Sequence, residues 1–315
     1  MKKTHILFIG SLFFITVVLS ILVFTLHTKE TQLIKQKNRQ ETTQNLPPEV
    51  LGEQGSLSRL PWNSGAKVAV WDIETFEKER GRKLDYYVLT LPLYSWDDVR
   101  NPDADNKISQ FGQLPGKLHI TMPILPTDST STIELCTQGN YDGAYHAFAK
   151  KLLQLGRGDA TIAITSDSEV TQTNTPLCFQ RIVAAMKTEN PNMQVTWMIP
   201  TNLSDVATLA AAYPENNAVD AIGVTVFDNQ ASLKNAMHFA QCKNKPLAIL
   251  WGKQENLTFI QAMSTFFTTN ANHIAYELYE PASTNTIYFT LWKKDSFQQA
   301  KPLSVPVACP DEEQH

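Results

Sequence analysis

The sequence predicts one closed α/β barrel, in which eight parallel strands alternate with helices. Short apolar runs of strand length alternate with helical stripes from Lys67 to Glu280, a rhythm that builds βαβ units rather than separate layers of sheet and helix. That span suits a (β/α)8 TIM barrel, which takes about 250 residues as a single domain. The clearest unit is the helix Tyr141 to Leu155, the strand opening Asp159 to Val170, and the helix Phe179 to Lys187. Its strand is buried along its length and ends in acidic and polar side chains, at the end where such barrels gather their chemistry.

Two segments precede the barrel. From Ile6 to Leu26 the chain has no charge, and only Gly10, Ser11, Thr16, Ser20 and Thr25 interrupt the apolar residues. A helix of that length crosses a hydrocarbon core of about 30 Å. A cleaved signal peptide has a shorter apolar region of about 7 to 15 residues and a small-residue cleavage site, which this run lacks. Residues 1–28 are therefore expected to form an uncleaved single-pass membrane anchor, with the large domain extracytoplasmic. Residues 29–63 are rich in Gln, Thr, Asn and Lys and contain Pro47-Pro48. Such a composition buries too little surface to fold and reads as a polar linker. The barrel is expected over 64–300 and a short tail over 301–315.

Within the barrel, strand one is expected at Lys67–Trp71, followed by a helix from Ile73 to Arg82 near Gly81. Strands follow at Tyr86–Leu91 and Lys117–Met122, separated by an Asp-, Asn-, Pro- and Gly-rich loop over Asp97–Gly116. After the central unit come strand five at Met193–Met198 and a helix from its N-cap Ser204 to Ala212. Strand six is Asp220–Phe227 with a helix Ser232–Cys242, and strand seven is Lys245–Trp251 with a helix Leu257–Phe267. Strand eight is Ile274–Tyr279, and Ile287–Trp292 reads as an extra strand.

Composition narrows the function. The 315 residues are 43% hydrophobic and 18% charged with a formal net charge of -4, which gives no electrostatic reason to expect a nucleic-acid partner. The four cysteines, Cys136, Cys178, Cys242 and Cys309, are far apart and form no CxxC pair, so no metal site or disulfide framework is indicated. His146, His238 and His273 lack ligand spacing on a shared face, so no metal is assigned. With no GxSxG, Walker or dinucleotide-binding signature, no cofactor is expected.

Several segments carry a more specific resemblance. Gly139-Asn-Tyr-Asp142 opens a helix, Pro191-Asn192 precedes strand five, and Trp197 closes it. Tyr213-Pro-Glu-Asn-Asn-Ala-Val-Asp-Ala-Ile-Gly-Val224 leads into Phe227-Asp228. Together these segments resemble glycoside hydrolase family 26, which contains β-mannanases and related β-glucan-cleaving enzymes. The resemblance implies an eight-stranded barrel and a retaining mechanism, with one Glu after strand four as acid/base and one after strand seven as nucleophile. Retention requires two carboxyl groups about 5 to 5.5 Å apart in one cleft.

The chain departs from that pattern. Where the family has an Arg before its strand-four Glu, this sequence has Ala163, and the acidic positions fall at Asp167 and Glu169. Either could donate a proton. On strand seven the nucleophile position is Leu250 or Trp251, depending on a one-residue shift, and neither side chain can attack. Glu255 reads as a helix-start carboxylate, while Glu277 and Glu280 on strand eight are the substitutes to consider. Trp71, Trp197 and Trp251 near strand ends are candidate sugar platforms. His119, mid-strand, is either a hydrogen-bonded core residue or a ligand contact, and Asp228 caps or binds.

These residues define two readings. In one, a membrane-anchored barrel binds a polysaccharide, a β-mannan or exopolysaccharide, in a membrane polysaccharide-synthesis complex without cutting it. In the other, an active hydrolase has a relocated carboxylate pair, Asp167 or Glu169 with Glu280 or Glu277.

Overall fold

The computed structural model describes residues 56–128, 130–166, 174–200, 205–227, 231–253, 256–281, 288, 289 and 292. The expected anchor, most of the linker and the tail lie outside the described residues. Among the described residues no helix is long and apolar enough to cross a membrane.

Eight parallel strands close on themselves in sequence order. They are β1 Asn63–Ala66, β2 Tyr86–Thr90, β3 Lys117–Pro123, β4 Thr161–Thr165, β5 Gln194–Met198, β6 Ala221–Val226, β7 Leu247–Gly252 and β8 Ile274–Glu280. The helices among the described residues are α1 Ile73–Arg80, α2 Trp96–Arg100, α3 Ile133–Thr137, α4 Asp142–Gln154, α5 Thr175–Glu189, α6 Val206–Ala212, α7 Ala231–Cys242 and α8 Leu257–Thr269. This is the (β/α)8 barrel that the alternating pattern predicts.

Strand one is the principal correction. The apolar run Lys67–Trp71 is not a strand; its last residues form a 3-10 helix, Val70–Asp72, that leads into α1. The strand lies earlier, at Asn-Ser-Gly-Ala, where it pairs Gly65 with Tyr86 and Ser64 with Glu277. Small residues are needed there. A Cβ on Gly65 would lie 2.7 Å from Leu278 Cδ2 and from both Cβ and the carbonyl oxygen of Tyr86. The preceding residues, read as linker, also belong to the barrel: Leu60 and Trp62 are buried, and the Asp85 carboxylate accepts from the backbone N–H groups of Leu57, Ser58 and Ser64.

Smaller corrections follow the same logic of local chemistry. The N-cap of α6 is Asp205 rather than Ser204, its carboxylate accepting from Thr208 N–H at 2.9 Å. Tyr288, Phe289 and Trp292 are helical rather than extended, and Tyr288 stacks on Tyr279 with ring centroids 3.6 Å apart. A disulfide joins Cys136 of α3 to Cys178 of α5 across 42 residues, and Cys242 is disulfide-bonded as well. Closing a loop of that length removes about 4 kcal/mol of unfolded-state freedom in the chain-entropy picture. The bonds were not indicated by the sequence because the cysteine spacing carries no local signal.

Two cores result from strand alternation. Outward side chains of the strands pack against the helices in one large cluster, while Tyr86, Val88, Ala221, Ala248, Tyr276 and Leu278 fill the lumen. The lumen also holds polar contacts, with Thr196 Oγ1 and Tyr276 OH 2.5 Å apart and Thr161 Oγ1 donating to Tyr86 OH at 3.4 Å. The barrel interior is thus a packed core. Gly65→Ala, which would force a methyl group against the Tyr86 backbone, is expected to cost about 1–3 kcal/mol in denaturant unfolding. Wild-type stability in that variant would show that β1 does not run between β2 and β8 at this register.

Candidate functional site

All strands of a parallel barrel open at one end, and there the inward residues become a mouth. Carrying the lumen-facing positions forward gives Lys67 beyond Gly65, Thr90 on β2, Thr121 and Pro123 on β3, Thr165 on β4, Thr225 on β6, Leu250 on β7 and Glu280 on β8. Below them Met198 fills the space left by Gly223, where a Cβ would collide with its sulfur. The rim is rich in threonine, which supplies hydroxyl groups but no charge.

Charge at the described rim is concentrated at the β7–β8–β1 sector. Glu280 Oε1 lies 3.2 Å from Lys67 Nζ and 3.5 Å from Lys253 Nζ. Lys253 Nζ also sits 4.3 Å from the centre of the Phe227 ring. The chain is turned deliberately to reach this arrangement. Gly252 has φ 127° and Lys253 φ 56°, and the Lys253 N–H donates to the Glu280 carbonyl at 2.8 Å. A side chain on Gly252 would strike that same carbonyl. Neither lysine stands out in the sequence; the detectable signal was the two-residue step from Gly65 to Lys67 and the glycine that ends strand seven.

Strand parity also resolves the strand-seven alternatives. Leu250 pairs with Leu278 and Gly252 with Glu280, so Leu250 is the mouth-facing residue at the expected nucleophile position. Trp251 points the other way, is buried, and packs among Phe267, Tyr279 and Trp292. Trp197 likewise faces the helices, edge-on to Tyr213 with centroids 5.4 Å apart. Neither tryptophan can serve as a sugar platform, which corrects that expectation. Trp71 differs: it is 80% exposed in the turn after β1. Tyr94, in the adjoining turn after β2, is 66% exposed and was not singled out from the sequence.

His119 lies in the lumen, edge-on to Tyr276 at 5.2 Å between centroids and to Tyr86 at 6.4 Å. Burial drives its imidazole down to about 3, so it is neutral, and among the described residues its Nδ1 has no hydrogen-bond partner. It is a core residue beneath the mouth rather than a ligand contact. Asp167, Glu169, Asp228 and Glu255 lie outside the described residues. Beside the mouth, Pro123, Leu125, Thr127, Ser131, Glu134 and Thr165 line a cleft of about 290 Å³. Its outer wall includes α3, whose Thr132 cap accepts from Leu135 N–H and whose Cys136 is tied to α5. Among the described residues no group of three His, Cys, Asp or Glu side chains could hold a metal ion.

No family model matches the chain, and no curated protein matches it. Among solved structures, GH26C from Muricauda sp. MAR_2010_75 aligns with a TM-score of 0.56 at 12% identity, over 78% of this chain and 91% of that one. A GH26 beta-mannanase from Bacteroides ovatus aligns with a TM-score of 0.44 at 12% identity, over 73% of this chain and 84% of that one. The first likeness shows the barrel fold; chemistry has to be argued from the site itself.

Glu277, a second candidate carboxylate, is removed from the mouth. It faces outward into a buried cluster in which Ser64 Oγ donates to its Oε1 and Trp251 Nε1 donates to its Oε2 at 2.6 Å. Arg80 donates to Ser64 Oγ and lies 3.7 Å from the carboxylate, while its guanidinium sits 4.7 Å from the Trp292 ring centre. Burial pushes the Glu277 carboxyl from 4.5 up to about 7, against the pull of Arg80, Ser64 and Trp251. A carboxyl group whose folded pKa is raised contributes stability in full below 4.5 and loses it as pH rises through about 7. Glu277→Gln, which does not titrate, is therefore expected to match the wild type near pH 4.5 and to exceed its stability above pH 7 by up to about 3 kcal/mol. Unfolding measured at the two pH values checks this. A glutamine variant that loses several kcal/mol at pH 8 would mean that attraction to Arg80 outweighs desolvation.

Proposed function

We propose that this chain is a glycoside-hydrolase-like barrel that binds a polysaccharide across its carboxyl-end mouth without retaining hydrolysis. The observation that carries this reading is Leu250 at the mouth-facing position of strand seven, where a retaining enzyme needs a nucleophilic carboxylate. Without that group no glycosyl-enzyme intermediate forms, and acid assistance alone contributes only about 10² to 10⁴ in rate. Glu280 is a poor replacement, because both neighbouring ammonium groups lie against the same carboxylate oxygen. Exposed Trp71 and the threonine rim supply what sugar binding needs, an aromatic face and hydroxyl partners.

The reading extends to location. The apolar run Ile6–Leu26 anchors the chain in a membrane, and its barrel lies on the extracytoplasmic side, next to the machinery that makes or exports the polysaccharide. Disulfides at Cys136–Cys178 and at Cys242 accord with an oxidising compartment.

The full-length chain in detergent is expected to show no turnover on β-mannan or mixed-linked β-glucan. It should bind a mannooligosaccharide weakly, and Trp71→Ala should reduce that binding about 2- to 10-fold, the range of one aromatic contact. Cleavage of either polymer that Asp167→Asn or Glu169→Gln abolishes would instead establish the alternative, an active hydrolase with a relocated carboxylate pair. Cell fractionation tests the anchor: the full chain should pellet with membranes and a version lacking residues 1–26 should not. A soluble form whose amino terminus begins after the apolar run would show a cleaved signal peptide.

A further inference from the structure

We propose that the glycan bound at the mouth is acidic, and that a sugar carboxylate docks between Lys67 and Lys253. This rests on the glycan-binding reading above and specifies its substrate class. The lysines approach one oxygen of Glu280 from two strands, at 3.2 and 3.5 Å, so their ammonium groups are no further apart than those two contacts together allow. Among the described residues, two ammonium groups share this one carboxylate, an excess of one positive charge. Lys253 Nζ otherwise meets, among the described residues, the Phe227 ring face, which attracts cations without neutralising them.

The arrangement is built rather than incidental. Lys253 holds a left-handed backbone that side-chain-bearing residues seldom adopt, next to a glycine that Glu280 leaves no room to replace. Strain of this kind persists where the surrounding structure enforces it, and it gathers at ligand sites. Both lysine side chains keep part of their surface in water, 37% for Lys67 and 51% for Lys253. Each ammonium group has three donors and gives Glu280 at most one, which among the described residues leaves others for a ligand. The described threonines Thr90, Thr121, Thr165 and Thr225 are neutral, so nothing among them repels an anion, and their hydroxyl groups suit the remaining sugar oxygens. A uronate unit matches this set: a carboxylate for the lysine pair and hydroxyl groups for the rim.

The test compares two ligands that differ only at C6, β-1,4-linked tetramannuronate and mannotetraose, titrated into the full-length chain in detergent. Tetramannuronate should bind at least about tenfold more tightly at low salt, with the advantage shrinking as salt rises. Lys67→Gln and Lys253→Gln should each weaken tetramannuronate binding about fivefold or more and narrow the preference for it over mannotetraose. If either substitution disturbs folding, the wild-type comparison still decides, and Lys253→Arg should retain the preference. Equal or tighter binding of mannotetraose, or glutamine variants that bind tetramannuronate like the wild type, would overturn the acidic-glycan proposal and leave general glycan binding standing. Displacement by inorganic phosphate at matched concentration would overturn it in favour of a simple anion site. If neither oligosaccharide binds, both readings fall.

Discussion

Closure of the barrel between β8 and β1 is the constraint on which the other features depend. A parallel barrel has no free edge, so its last strand must approach its first closely along the whole seam. Here the approach is made possible by a strand almost without side chains, Asn-Ser-Gly-Ala, against the bulky Tyr276, Leu278 and Tyr279 of β8. On the lumen side Gly65 gives way to Leu278 and Tyr86. On the helix side Ser64 is small enough for Arg80 and Glu277 to meet over it. The same register carries Lys67 beyond the seam to Glu280, and the Lys67 N–H donates to the Tyr279 carbonyl at 2.8 Å. The charged sector of the mouth is therefore a direct extension of the closing seam.

That seam also explains which parts of the fold were legible in the sequence. Strands two to eight are apolar runs bounded by turn residues, and the alternation with helices identified them and their order. Strand one was misplaced because small polar residues carry no β signal, while Val68, Val70 and Trp71 nearby do. The strand is specified by what its neighbours leave room for, which only the closed barrel reveals. The linker boundary was misjudged for the same reason, since Trp62 and Leu60 are buried in a stretch whose average composition is polar.

The candidate site was legible to a smaller degree. In a strand buried on both faces, apolar residues occupy inward and outward positions alike, so hydropathy does not reveal parity. Trp197 and Trp251 therefore looked equivalent to Trp71, although two face the helices and one faces water. Glu277 and Glu280 looked like near neighbours on one strand, yet three residues apart places them on opposite faces. The lysines were invisible because their role depends on Glu280, more than twenty residues from Lys253 and on the far side of the barrel closure from Lys67.

The two glutamates on strand eight differ in what surrounds them. Glu277 is fully buried, and burial raises its carboxyl into the range useful for proton transfer, yet it opens toward Ser64, Arg80 and Trp251 rather than toward the mouth. Glu280 has access to the mouth, but two lysines converge on it, and a carboxylate engaged by ammonium groups is a weaker nucleophile than a free one. The residue with the right orientation for attack, Leu250, has no lone pair to offer. Reactivity and access are thus separated onto different residues along one seam. Among the described residues, the mouth thus presents charge at Lys67, Lys253 and Glu280 and hydroxyl groups at its threonines.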